Sequence, residues 1–164
     1  MDCELEVIKN IFKKSINEFY DKDVVLFEDN CGGSSERSMV FRIGHYMQNE
    51  ISKRDDCQEF VVDCEYNRHG NVVKRINAKS IIPDLILHKR KTDENNILFV
   101  EFKKESNRSY GWASDAKKIK DVTDNEKEYS YKYGFHVILN ENEAKVSVYE
   151  NGIEKCCFTC GSVK

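Results

Sequence analysis

Hydrophobic positions along the chain follow two periodicities. Leu5, Ile8, Phe12, Ile16 and Phe19 recur at helical spacing with Lys and Glu on the other side, so residues 3–19 are expected to form an amphipathic helix. Asp29-Asn30-Cys31-Gly32-Gly33-Ser34-Ser35 breaks the pattern. Ser35 is placed to cap a second helix carrying Glu36 in its first turn. Val40, Ile43, Met47 and Ile51 supply the apolar stripe of that helix, with Gly44 a weak point in its middle. From Glu59 the period changes to two. Phe60, Val62, Cys64 and Tyr66 alternate with Val61, Asp63, Glu65 and Asn67, the pattern of a strand. Arg68-His69-Gly70-Asn71 then turns the chain. Residues 81–89 and 97–104 read as two further strands around the polar loop Lys91–Asn96. A helix is expected over 112–122. Gly134–Leu139 and Ala144–Tyr149 form a strand pair across Asn140-Glu141-Asn142, and Gly152 leads into a last short strand near Ile153–Thr159. The fold class is mixed α/β.

With 164 residues, 40% of them hydrophobic and 34% charged, the chain reads as one domain spanning 1–164, with residues 1–20 as its N-terminal helix. Nine Phe, eight Tyr and one Trp exclude a disordered chain. No apolar run approaches the ~20 residues of a membrane span, so no membrane partner is expected. The acidic start Met1-Asp2-Cys3-Glu4 lacks the order of a signal peptide, and a cytoplasmic protein is expected. The net charge of −3 disfavours broad, nonspecific phosphate binding, which calls for a basic protein. Any nucleic-acid contact must come from a local basic patch. Seven scattered cysteines, an odd number, argue for reduced thiols rather than a disulfide framework.

The chemistry concentrates in Pro83-Asp84 and Glu101-Phe102-Lys103. A hairpin folded between Thr92 and Asp93 sets Asp84 opposite Glu101, within reach of one shared ligand. Lys103 shares the parity of Glu101, so both project to one face while Phe102 points to the other. Two carboxylates suit a hard cation such as Mg²⁺. The ammonium can orient an attacking water and neutralise charge on a pentacovalent phosphate. The same residues could also make an ordinary salt bridge across a hairpin.

The run Ile82-Pro83-Asp84-Leu85-Ile86-Leu87, followed by Asn96-Ile97-Leu98-Phe99-Val100-Glu101-Phe102-Lys103-Lys104, resembles the core of the PD-(D/E)XK nuclease superfamily, with its restriction-endonuclease-like fold. Ser35-Glu36-Arg37, Asp63-Cys64-Glu65-Tyr66-Asn67-Arg68 and Tyr131–Leu139 are similar to a bacterial subgroup of small proteins within it. The likeness covers about residues 33–150. It implies a mixed central β-sheet flanked by helices and a metal-dependent nuclease using Mg²⁺ or Mn²⁺ to hydrolyse phosphodiester bonds. Asp84, Glu101 and Glu36 would be metal-site acids and Lys103 the catalytic lysine, with Phe102 counted among the metal ligands. Nucleic acid would be the partner, DNA ahead of RNA, and a homodimer is compatible with the reading. The alternative is a nuclease-fold protein without catalysis, serving as a nucleic-acid- or partner-binding subunit.

Other residues leave two readings open. Glu36 could serve the metal site or simply complement a helix dipole. Glu65 could assist beside the hairpin or make an edge salt bridge. Arg68, His69, Lys74 and Arg75 could track a phosphate backbone or be solvated surface, and Glu65, Arg68, Lys74 and Arg75 are the substrate-binding candidates. Cys157-Phe158-Thr159-Cys160 offers one C-x-x-C step and no second pair, so Cys156, Cys157 and Cys160 are expected to be small apolar strand residues rather than zinc ligands. Trp112 could stack on a base, although core packing suits it better.

Overall fold

The computed structural model describes residues 4–27, 35–69, 72–76, 79–92, 95–107 and 111–161. The expected break at 29–34, the Gly70-Asn71 turn and the Asp93-Glu94 loop centre lie outside them. Helices α1 (Leu5–Asp23) and α2 (Glu36–Ser52) come first. Strand β1 (Val61–Cys64) leads to four two-residue strands, β2 (Arg68–His69), β3 (Val72–Val73), β4 (Arg75–Ile76) and β5 (Lys79–Ser80). Then come β6 (Leu85–His88), β7 (Asn96–Lys104), α3 (Trp112–Thr123), β8 (Tyr133–Leu139), β9 (Ala144–Glu150) and β10 (Ile153–Cys160). The main sheet has six strands in the order β1-β6-β7-β8-β9-β10, and β2–β3 and β4–β5 are separate two-stranded ladders. Neighbours in the main sheet run antiparallel except β7 and β8, which are parallel and joined through α3. A parallel pair requires such a crossover. The architecture is mixed α/β, a mixed sheet with flanking helices.

Strand parity sorts the core into two layers. Leu85, Leu87, Leu98, Val100 and Phe102 pack with Phe12 of α1 and Met39, Ile43 and Met47 of α2. Ile86 and Phe99 face the opposite side, where they meet Ile119 and Val122 of α3 and Tyr131. The residue after Phe99 on that second face is Glu101, then Lys103. Both long helices thus lie on one side of β7, and its charged end looks toward α3.

The β6–β7 register pairs Leu85 with Val100, Ile86 with Phe99 and Leu87 with Leu98. A hairpin centred between Thr92 and Asp93 demands these pairs, and one further step along the register brings Asp84 level with Glu101. The ladder slips by one residue only near the loop, where His88 meets Asn96. Two glycines let helices approach the sheet. A Cβ on Gly134 would sit 2.3 Å from Ile119 Cγ2 of α3, and one on Gly44 would sit 3.0 Å from Cys64 Sγ of β1. Gly44 is therefore a packing requirement of α2 rather than a flaw in it.

The expected strands shorten in two places: β6 begins only at Leu85, so residues 81–84 lie outside it, and the first strand ends before its alternation does. β1 stops at Cys64 because Glu65 adopts a left-handed backbone (φ 53°), and the Glu65 N–H donates to the Asp84 carbonyl at 3.3 Å. Tyr66 instead stacks near His88, ring centroids 4.8 Å apart. The cysteine tail also differs from expectation. β10 is an outer strand, and Cys156 and Cys157 are exposed rather than packed as small apolar residues. No helix among the described residues is long and apolar enough to cross a membrane.

Candidate functional site

Three elements deliver charged side chains to one end of β7. Ser35 caps α2 by accepting from the Ser38 N–H, which frees Glu36 to reach away from its own helix. Glu36 Oε2 accepts from the Lys104 backbone N–H at 3.0 Å, and its Oε1 accepts from Lys103 Nζ at 3.4 Å. Asp84 precedes β6, and its Oδ2 accepts from the Phe102 N–H at 2.7 Å. Lys103 Nζ lies 3.4 Å from Asp115 Oδ2 on α3. Lys118, one turn further along α3, donates to Glu101 Oε2 at 2.8 Å and lies 3.6 Å from Asp115 Oδ1.

The structure therefore brings Glu36, Asp84, Glu101 and Lys103 together. Phe102 contributes only main chain, since its ring is buried in the opposite core layer beside Phe12. The sequence reading missed Asp115 and Lys118. Their i, i+3 spacing puts them on one helix face, but which strand that face meets is decided by the crossover from β7 to β8. His136 was missed as well. It lies beside Glu101 in the parallel register and meets the Trp112 ring edge-on, centroids 6.1 Å apart. Trp112 is thus packed against β8 rather than presented for stacking.

Four carboxyl groups, Glu36, Asp84, Glu101 and Asp115, share this space with two ammonium groups, Lys103 and Lys118. With all six ionised, two negative charges remain uncompensated. Burial, then the neighbouring Asp84 carboxylate, pushes the Glu101 pKa up to about 8 despite Lys118. Burial raises Asp84 as well, against the pull of the Phe102 N–H and Lys103. Burial alone would lower Lys103, but Glu36, Asp115 and Asp84 reverse the direction and raise it. Burial lowers His136 below the usual imidazole range. Glu101 Oε1, His136 Nε2 and Trp112 Nε1 are buried and have no hydrogen-bond partner among the described residues, whereas the equally buried Asp115 Oδ2 is answered by the Lys103 ammonium at 3.4 Å. Buried polar atoms are normally satisfied, so three unanswered ones on β7, β8 and α3 mark a place built for something further.

Among the described residues no three His, Cys, Asp or Glu side chains already enclose a common point for a metal ion. Mg²⁺ does not need such a cage. It keeps several waters and takes one or two carboxylates plus substrate phosphate. The orphaned Glu101 oxygen beside Asp84 fits that demand.

The substrate candidates separate. Glu65 forms an exposed ion pair with Arg37 at 2.7 Å and lines a pocket shared with Glu36 and Asp84. Arg68 and Arg75 remain exposed. Lys74 does not belong to the surface. It is 1% exposed, its Nζ donates to Tyr131 Oη at 2.6 Å, and it lies over the rings of Tyr66 and Tyr131. Aromatic faces and a hydroxyl replace water around this ammonium, which takes Lys74 out of any phosphate-tracking loop. Asp63 is taken up by the buried His88 at 3.0 Å and by the more exposed Arg90. Set against known proteins, the chain matches no protein-family model and no curated protein.

Proposed function

We propose that the protein is a metal-dependent nuclease of the PD-(D/E)XK type, hydrolysing phosphodiester bonds at the end of β7. The observation that carries this reading is that the buried carboxyls of Asp84 and Glu101 lie near enough to perturb one another, one Glu101 oxygen has no partner among the described residues, and Lys103 acts on Asp84 as well. The mixed sheet with flanking helices supports it, as does the resemblance around Pro83-Asp84 and Glu101-Phe102-Lys103. Asp84 and Glu101 would hold Mg²⁺ or Mn²⁺, with the Phe102 main chain next to both. A bound cation would supply Lewis-acid polarisation of the phosphate and a more acidic water.

The chain's own residues do the rest. Glu36 and Asp115 hold the Lys103 ammonium from two sides, which fixes the direction of its N–H groups. Lys103 is then placed to orient a water for attack on phosphorus and to stabilise the charge gathering on the phosphoryl oxygens. The P–O bond to the leaving oxygen breaks, and that oxygen takes up a proton. His136 and Trp112 exclude solvent from one side.

Calorimetric Mn²⁺ titration beside cleavage of mixed DNA and RNA tests the assignment. Glu101→Ala is expected to lose metal binding and cleavage together. Lys103→Ala is expected to keep metal binding and lose about a hundred- to a thousandfold in rate. One observation favours the second reading, a nuclease-fold binding subunit without catalysis. Lys118 already neutralises Glu101. Wild-type protein that binds no divalent ion and cuts nothing would decide for that reading.

A further inference from the structure

A pocket of about 200 Å³ opens beside the carboxylates and takes no part in the chemistry described so far. Glu36 and Asp84 form the wall it shares with the site, and Val40, Phe41 and Cys64 form its apolar side. We infer that this pocket receives one unstacked nucleobase lying on Phe41, so that the substrate class is single-stranded nucleic acid. This inference rests on the nucleic-acid reading of the site.

Helical spacing builds the pocket. Residues four apart on α2 stack along one face, which places Val40 above Glu36 and Phe41 above Arg37. Gly44, one turn further, lets the helix close on Cys64 of β1, a contact a side chain would obstruct. The Phe41 ring is 64% exposed, the highest value among the large apolar side chains described. A lone exposed apolar residue is ordinary. This one lines a pocket that also reaches Asp84, so a phosphate that a cation would hold at Asp84 and Glu101 would put the adjoining nucleoside within its reach.

Size and charge narrow the occupant. Pockets that bury drug-sized ligands run to roughly 300–1,000 Å³, so about 200 Å³ suits a single ring system. At the rim, the Arg37–Glu65 pair presents donors and a carboxylate acceptor, the groups that read a base edge. A paired, stacked base cannot present its face to Phe41. Aromatic stacking is the sequence-tolerant device by which proteins hold single strands.

The test compares wild type, Phe41→Ala and Phe41→Trp, each on a Lys103→Ala background in Mn²⁺ so that the cation is bound and cutting is slow, in fluorescence anisotropy with a short labelled DNA oligonucleotide, single-stranded and as duplex. Wild type is expected to prefer the single strand by at least about tenfold, and Phe41→Ala to lose about ten- to a hundredfold of that affinity. Phe41→Trp is expected to restore binding and to show base-induced quenching beyond the signal of Trp112, the single native tryptophan. Because Phe41 is exposed, its truncation leaves no cavity, and Mn²⁺ affinity should not change. Wild-type protein that prefers duplex or binds neither form overturns the inference. So does Phe41→Ala that binds as wild type while Mn²⁺ binding and cleavage persist, a result that leaves the nuclease reading standing. Quenching of Phe41→Trp in a protein that binds no Mn²⁺ and cuts nothing would keep the pocket and discard the catalysis.

Discussion

Two acids of the same sheet have opposite fates. Asp63 on β1 accepts from His88 Nε2 at 3.0 Å and from Arg90 Nε at 2.9 Å, and its second oxygen also pairs with Arg90. Burial opposes its charge, but these partners win and hold the carboxyl well below the ordinary range. Glu101 on β7 is more deeply buried, has one cationic partner and keeps one oxygen unsatisfied, and its pKa moves up to about 8. A carboxylate with both oxygens answered is part of the structure. A buried carboxylate left short of partners is unfavourable for the fold unless a ligand completes it. The contrast separates site from scaffold among acids that look alike in the sequence.

The largest expected effect comes from Glu101 in EDTA-treated protein. Its carboxyl holds a proton more tightly folded than unfolded, where the value is near 4.5. Between that value and about 8 the folded state carries the extra proton, so stability falls as pH rises. Glu101→Gln should remove this slope and stabilise the metal-free protein at pH 8 by a few kcal/mol, as read from urea unfolding across the pH range. Parallel profiles for wild type and Glu101→Gln would put Glu101 in the same class as Asp63.

Asp63→Asn should act with the opposite sign and a smaller size. The depressed pKa gives a stabilisation fully present above the ordinary carboxylate range and lost as pH falls through the folded-state value. Arg90 is more than half exposed, which screens its share, so about 1–2 kcal/mol should go at neutral pH. The difference from wild type should shrink in acid. Mn²⁺ affinity should be untouched, and a loss of it would move Asp63 into the site.

The contrast was half visible before the structure. Hairpin parity alone put Asp84 level with Glu101, because strand periodicity is two and the loop has a definable centre. Glu36 was placed by its cap, although its bond to the Lys104 N–H depends on how α2 packs against β7. Nothing near Lys74 reveals its burial, since the rings around it come from Tyr66 and Tyr131, the latter 57 positions away. The turn at Glu65 was hidden by an alternating run that continues to Asn67 although the strand ends at Cys64. Asp115 and Lys118 belong to a helix whose orientation follows from the β7–β8 crossover, a tertiary fact with no local signal.

Lys118 decides whether the comparison holds. If it is a counter-ion of the kind Arg90 is for Asp63, the pair with Glu101 is closed and a cation has no place there. If it only stands in for a cation, removing it should improve the site. Lys118→Met deletes an ammonium 2.8 Å from Glu101 while keeping an apolar stem of similar length. At an effective dielectric of 20 such a contact is worth about 6 kcal/mol before desolvation. The lysine side chain is 22% exposed, however, and can turn toward water when displaced, so the net competition should be nearer the ~1 kcal/mol of a surface pair. Mn²⁺ affinity should therefore rise about fivefold in Lys118→Met by calorimetry, and metal-free stability should fall because Glu101 and Asp115 lose a partner. Lys118→Arg should bind Mn²⁺ close to wild type. Unchanged or weaker Mn²⁺ binding in Lys118→Met would make Lys118 a structural counter-ion and erase the distinction between Glu101 and Asp63.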